Sequence, residues 1–168
     1  ASFTADMLDE GTRRRSALEI SETLEALGAR LRTGALADAM TVSLNVLEPR
    51  LAEALEVFAD IVLNPAFRAD DLERIRAQRL AFIRREECAP QGIATRVLPE
   101  LLYGAGHPYG KPFSGSGLEE DVAALRREDL ISFHESWFKP DNATLLAVGD
   151  VDADTLMPLL DRLMGEWR

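Results

Sequence analysis

Along most of this chain apolar residues recur every three or four positions; in one stretch they alternate instead. Residues 3–10 are short and amphipathic, and Gly11-Thr12 ends them. Ser16-Ala17-Leu18-Glu19 has the capping-box form, a serine at the cap and a glutamate three later. Ile20, Leu24 and Leu27 follow at helical spacing, and Gly28 stands where a helix C-terminus favours glycine. From 30 to 47 the period drops to two. Leu31, Thr33 and Ala35 alternate with their neighbours, as do Met40, Val42, Leu44 and Val46, which predicts a hairpin of two short strands turning near Ala37-Asp38.

Helical spacing then returns. Glu48-Pro49 opens a helix whose stripe is Leu51, Ala54, Leu55, Phe58, Ala59 and Val62, and Asn64-Pro65 ends it. Asp70 is expected to cap a long helix carrying Leu72, Ile75, Phe82 and Ile83. Pro90-Gln91-Gly92 interrupts it. Another helix is expected from Ile93 to Tyr103, with Pro99 as a kink or early break. Gly104–Gly117 reads as a loop, and Arg127–Phe138 as a helix stopped by Lys139-Pro140. Ala143–Val148 is continuously apolar and predicts a buried strand closed by Gly149-Asp150; Asp152 caps a last helix. The expected fold is α+β, one domain over residues 1–168, with a sheet of at least three strands and several helices packed on one side.

Composition narrows the partners. The 168 residues are 46% hydrophobic and 29% charged, which is ordinary for a globular chain. The net charge of −10 argues against nucleic acid or an anionic membrane as partner, since both require a basic face. Cys88 is the single cysteine, so no intramolecular disulfide forms, and with two histidines no cysteine-rich zinc site is available. No apolar run reaches the length of a membrane span, and no leader pattern is visible from Ala1 onward. Such a start suits a processed chain or a piece of a longer one. Arginine greatly outnumbers lysine, which occurs only at Lys111 and Lys139 and hints at a bacterial source. The expectation is a soluble protein of the cytoplasm or periplasm.

Candidate chemistry is thin. His107 sits in a Pro-Gly turn and His134 beside the apolar face of a helix, neither with another ligand at metal spacing. Asp6, Asp9 and Glu10 cluster on one short helix and are candidates for acid/base work or a hard cation, against the simpler reading of a solvated acidic face. Ser114 and Ser116 lie between glycines but lack the strand–turn–helix setting of a nucleophile elbow. The acidic pair before Cys88, Glu86-Glu87, disfavours a thiolate there. Residue chemistry alone therefore reaches a soluble α+β domain with no visible active site.

The order of several motifs is more specific. Ala5-Asp6-Met7-Leu8-Asp9-Glu10-Gly11-Thr12 resembles the Glu-His-Met-Leu-x-x-Gly-Thr segment of insulinase-like and mitochondrial-processing-peptidase-like (M16) zinc metallopeptidases. Leu24-Glu25-Ala26-Leu27-Gly28 before a strand pair, the ending Ala59-Asp60-Ile61-Val62-Leu63-Asn64-Pro65, and Leu72-Glu73-Arg74-Ile75-Arg76 at the head of a long helix follow the same family order. So do His107-Pro108-Tyr109-Gly110, Asp129-Leu130-Ile131-Ser132-Phe133, and Trp137-Phe138-Lys139-Pro140-Asp141-Asn142-Ala143 leading into Leu145–Asp150.

This resemblance implies an M16 domain whose chemical positions have degenerated. Active members carry an inverted zinc motif, His-x-x-Glu-His, and a third ligand, a glutamate, in the long helix. Here the two histidine positions hold Ser2 and Asp6, the general-base position holds Ala5, and the third-ligand position holds Phe82. The resemblance thus implies no catalytic residue, no metal and no cofactor in this chain, with zinc in an active partner half. That half, in the same polypeptide or a partner subunit, and an unfolded peptide substrate are the implied partners. Substrate adds to such domains as an edge strand, which makes Arg30, Arg32 and Thr33 candidate contacts. Strands that precede the zinc-motif helix in the family are missing, so the domain is expected to be incomplete at its N-terminal strands. Two other readings follow: a purely structural subunit akin to respiratory-complex core proteins, and a metal-dependent hydrolase using Asp6, Asp9 and Glu10.

Overall fold

A computed structural model describes residues 1–167. Among them the helices are α1 (Ser2–Leu8), α2 (Ala17–Ala26), α3 (Leu51–Leu63), α4 (Ala69–Cys88), α5 (Pro90–Tyr103), α6 (Glu119–Ala124), α7 (Arg127–Trp137) and α8 (Ala153–Met164). Strands β1 (Arg30–Ala35) and β2 (Met40–Asn45) pair antiparallel as a hairpin. Local signals explain several boundaries. Ser16 accepts from the Glu19 amide while the Glu19 carboxylate accepts from the Ser16 amide, closing the expected capping box. Gly28 ends α2 at φ 63°, a conformation glycine adopts without a Cβ penalty. Asp152 caps α8 by accepting from the Thr155 amide.

Helix α1 lies at the centre. Phe3, Thr4, Ala5, Met7 and Leu8 are all buried, so this helix is enclosed on most of its circumference. The hairpin lies against it. Leu31 opposite Leu44 and Ala35 opposite Met40 share one face with Thr33 and Val42; Arg30, Arg32 and Ser43 take the other. Leu31, Met40, Val42 and Leu44 of the first face pack against a core that includes Met7, Leu8, Val57, Ile61, Ile83 and Leu130.

The C-terminal end of α1 is fastened by a buried polar knot. Thr12 donates its hydroxyl to Asp60 on α3 at 2.7 Å, Arg15 donates to the same oxygen at 2.5 Å, and Asn64 donates to the other oxygen at 3.2 Å. The Thr12 hydroxyl also accepts from the amides of Arg14 and Arg15. Buried polar atoms are tolerated when paired in this way, and the knot gives Gly11-Thr12 and Asp60 a common structural purpose.

Four expectations need correction. The sheet has two strands among the described residues, not three or more: Ala143–Val148 forms no strand. Its apolar side chains would suit a strand covered on both faces, but no described strand runs beside it, and Leu146 and Val148 are left 87% and 100% exposed. The long helix starts at Ala69 with Arg68 at its cap, so Asp70 lies inside the first turn, where its charge favours the helix dipole. Pro90 is the first residue of α5 and does not simply interrupt α4. Gly92 permits this corner, because a Cβ there would lie 2.3 Å from the Glu86 carbonyl oxygen. Helix α5 also runs through Pro99 without breaking. Proline leaves the carbonyl four residues earlier without its helical donor, and the Phe113 amide donates to that Thr95 oxygen at 3.2 Å. In addition, α6 (Glu119–Ala124) is a helix that the apolar spacing does not announce.

Candidate functional site

Of the positions that the family resemblance singles out, Ser2, Ala5 and Asp6 lie on α1 and Phe82 lies on α4, which packs against α1. Ser2 and Asp6 are one helical turn apart and so share a face of α1. From α4, the Arg79 guanidinium reaches both. Its two terminal nitrogens donate to Ser2 Oγ at 3.0 Å each, and Nη2 also donates to the Asp6 carboxylate. Nη1 donates further to the Gly115 carbonyl oxygen at 2.8 Å. The Arg79 side chain is only 12% exposed. Gly115 sits at φ 70°, a region that disfavours side chains, and this aims its carbonyl at Arg79. Ala5 is buried and has no donor atom. Phe82, one turn beyond Arg79, is partly exposed beneath the Arg85 guanidinium at 5.7 Å.

This donor set does not fit zinc. Two positions carry hydrocarbon side chains, and the other two already accept hydrogen bonds from a cation. Zinc sites use three or four imidazole, thiolate or carboxylate ligands. Among the described residues no group of three or more His, Cys, Asp or Glu side chains is placed to hold a metal ion.

The acidic cluster does not converge either. Asp6 faces Arg79, while Glu10 pairs with Arg74. Burial raises the Asp9 carboxyl above its usual range; a backbone hydrogen bond opposes this, and the charges of Glu10 and Asp6 add to it. The two histidines have separate local duties. His107 Nδ1 accepts from the Tyr109 amide at 3.1 Å, and its ring stacks on Tyr103. His134 Nε2 bonds the Val62 carbonyl oxygen at 2.8 Å, and its ring stacks on Phe138 with centroids 4.5 Å apart. Burial lowers its pKa against the opposing effect of that hydrogen bond. Cys88 is exposed. Of the hairpin candidates, Arg30 and Arg32 lie on the exposed face, whereas Thr33 lies on the opposite, half-buried face with Val42.

One turn past Phe82 lies Glu86, which the sequence presents only as a charge near Cys88. Glu86 is buried and accepts from Ser116 Oγ at 2.7 Å and Arg96 Nη1 at 3.0 Å. Arg96 also donates to Ser116 Oγ at 2.9 Å, and Ser114 and Ser116 share a hydroxyl contact at 3.0 Å. The loop Ser114–Gly117 is therefore a strap across α4, held by Arg79 and Glu86. A signal for it existed. Arg79 and Glu86 continue the stripe Leu72, Ile75, Ile83 at spacings of three and four, and charges on an apolar stripe need buried partners.

Comparison with known proteins gives the class. The family model described as insulinase (peptidase family M16) matches residues 1–114, and the one described as peptidase M16 inactive domain matches residues 124–168. The chain therefore belongs to the insulinase family of peptidases. More particularly, it is 31% identical over 165 residues to an uncharacterized zinc protease of Mycobacterium tuberculosis, covering 98% of this chain and 37% of that protein. The crystal structure of a peptidase M16 inactive domain from Pseudomonas fluorescens matches with TM-score 0.74 and 32% identity over 79% of this chain and 32% of that one. A Helicobacter pylori protease shares the fold with TM-score 0.88 at 22% identity, over 99% of this chain and 41% of that one. The chain thus spans a little over a third of the mycobacterial relative. No helix among the described residues is long and apolar enough to cross a membrane.

Proposed function

We propose that this chain is a non-catalytic M16 domain that pairs with a zinc-bearing half, in the same polypeptide or as a second subunit, to enclose an unfolded peptide for proteolysis. The observation that supports this reading is the set Ser2, Ala5, Asp6 and Phe82 at the four chemical positions, with Arg79 bonded to the two that are polar. Zinc belongs to the active half. The hairpin offers unpaired strand edges to an extended peptide, with Arg30 and Arg32 on its open face. Strands supplied by a longer polypeptide or by the partner half would take Ala143–Val148 into a larger sheet.

The test begins with zinc per chain after dialysis against metal-free buffer. The expected value is far below stoichiometric. Mixing with an M16 half that has an intact His-x-x-Glu-His motif is expected to yield peptide hydrolysis that neither part shows alone, weakened by Arg30→Glu/Arg32→Glu. Zinc near one per chain would overturn the reading.

A structural subunit is the second reading, favoured by one feature. Leu98, Leu101 and Leu102 are exposed on α5, Leu101 by 76%, as on a docking face. Stable association with the zinc-bearing half and unchanged hydrolysis in the Arg30/Arg32 variant would favour it.

A further inference from the structure

We infer that Arg79 occupies the place of the lost metal, so that the guanidinium, and not only the missing ligands, keeps this site free of zinc. This role of Arg79 belongs to the chain alone and does not depend on the proposed pairing with an active half.

Side chains four apart on one helix converge on a point beside the helix face. A metal held from the positions of Ser2 and Asp6 must sit at such a point, between α1 and α4. In this protein the point is filled. Both terminal nitrogens of one guanidinium donate to Ser2 Oγ, one of them (Nη2) donates also to the Asp6 carboxylate, and the other (Nη1) fixes the group to the Gly115 carbonyl. A metal bridges helices by drawing ligands from each; Arg79 does the same work with a fixed cation and planar donors. It ties α1 to α4 and to the strap Ser114–Gly117 without any ion.

Degeneration therefore has two layers. Restoring the ligands leaves a positive charge, largely shielded from water, where a doubly positive ion must enter. Like charges that close repel strongly in a partly desolvated site. Arg79 is also anchored by Gly115, which no ligand substitution touches. Zinc binding is expected to return only when Arg79 is removed as well.

The decisive comparison uses two variants of the whole chain. One carries Ser2→His, Ala5→Glu, Asp6→His and Phe82→Glu with Arg79 retained; the other adds Arg79→Leu. Zinc affinity is read by competition with a chromophoric chelator, and zinc content by elemental analysis. The Arg79→Leu background is expected to bind zinc at least about a hundredfold more tightly. Equal affinity in both, including no binding in either, overturns the inference.

A double-mutant cycle of Asp6→Asn and Arg79→Leu in the otherwise native chain keeps the question open to test if the multiple variants do not fold. Urea midpoints that show coupling between the two sites support a fixed cation bridging the helices. Additive effects would mean that Arg79 and Asp6 are not coupled across the two helices, and would overturn it.

Discussion

Single side chains in this protein are explained by what they satisfy. Asp60 is buried at 5% exposure and accepts from Thr12, Arg15 and Asn64. Replacing it by alanine strands a fully buried hydroxyl and frees an arginine that is itself part-exposed. Asp60→Ala is expected to lose roughly 2–3 kcal/mol, measured as the shift in urea unfolding free energy. Glu86 makes a different prediction. Burial alone would raise its pKa, but hydrogen bonds from Ser116, Ser114 and Arg96, with the charge of Arg96, outweigh it and hold the carboxyl below the usual glutamate range. A folded value below the unfolded one means that folding favours the carboxylate. That stabilisation is complete above the ordinary glutamate value and disappears as pH falls through the depressed folded value. Urea unfolding followed from neutral pH into acid should show a steeper loss for the native chain than for Glu86→Gln. Parallel pH curves would show that the Glu86 carboxylate is not preferentially stabilised in the fold.

At the scale of elements, the local signals and the tertiary contacts divide the work. The capping box at Ser16, the glycine end of α2 and the hairpin period of 30–47 were all legible, because each depends on neighbours in sequence. Pro99 was not. Its effect on α5 is relieved by the Phe113 amide, which reaches the Thr95 carbonyl from a distant loop, and no local pattern announces such a partner. The same holds for Ala143–Val148. Its continuous apolar run predicts a strand that does not form, because a strand requires a neighbour's backbone and none is present among the described residues. Leu146→Asp with Val148→Asp is accordingly expected to change the stability of this chain by no more than about 0.5 kcal/mol, while weakening any assembly that takes the segment into a sheet. Chemical denaturation of the chain alone checks the first part. A loss well above that size would show that the segment is packed in solution.

For the whole molecule, the ordered motifs carried the family, and the matches over residues 1–114 and 124–168 establish it. By resemblance they also single out Ser2, Ala5, Asp6 and Phe82 as the positions of the family's chemistry. What they did not reveal was Arg79. Sequence by itself determined most of the helices, the hairpin with its inward and outward faces, and the residues Ser2, Ala5, Asp6 and Phe82 that the family resemblance puts at the chemical positions. These follow from residue identity and from spacings of two and of three to four, which are local properties of the backbone. Only the tertiary structure decided that Arg79, which lies 73 residues from Asp6 in sequence, closes on it, that Glu86 is clasped by the Ser114–Gly117 strap, and that Ala143–Val148 stands unpaired. Each of these depends on which surfaces meet after the chain has folded back on itself, and the energy of a charge is set by the partners and solvent it finds there.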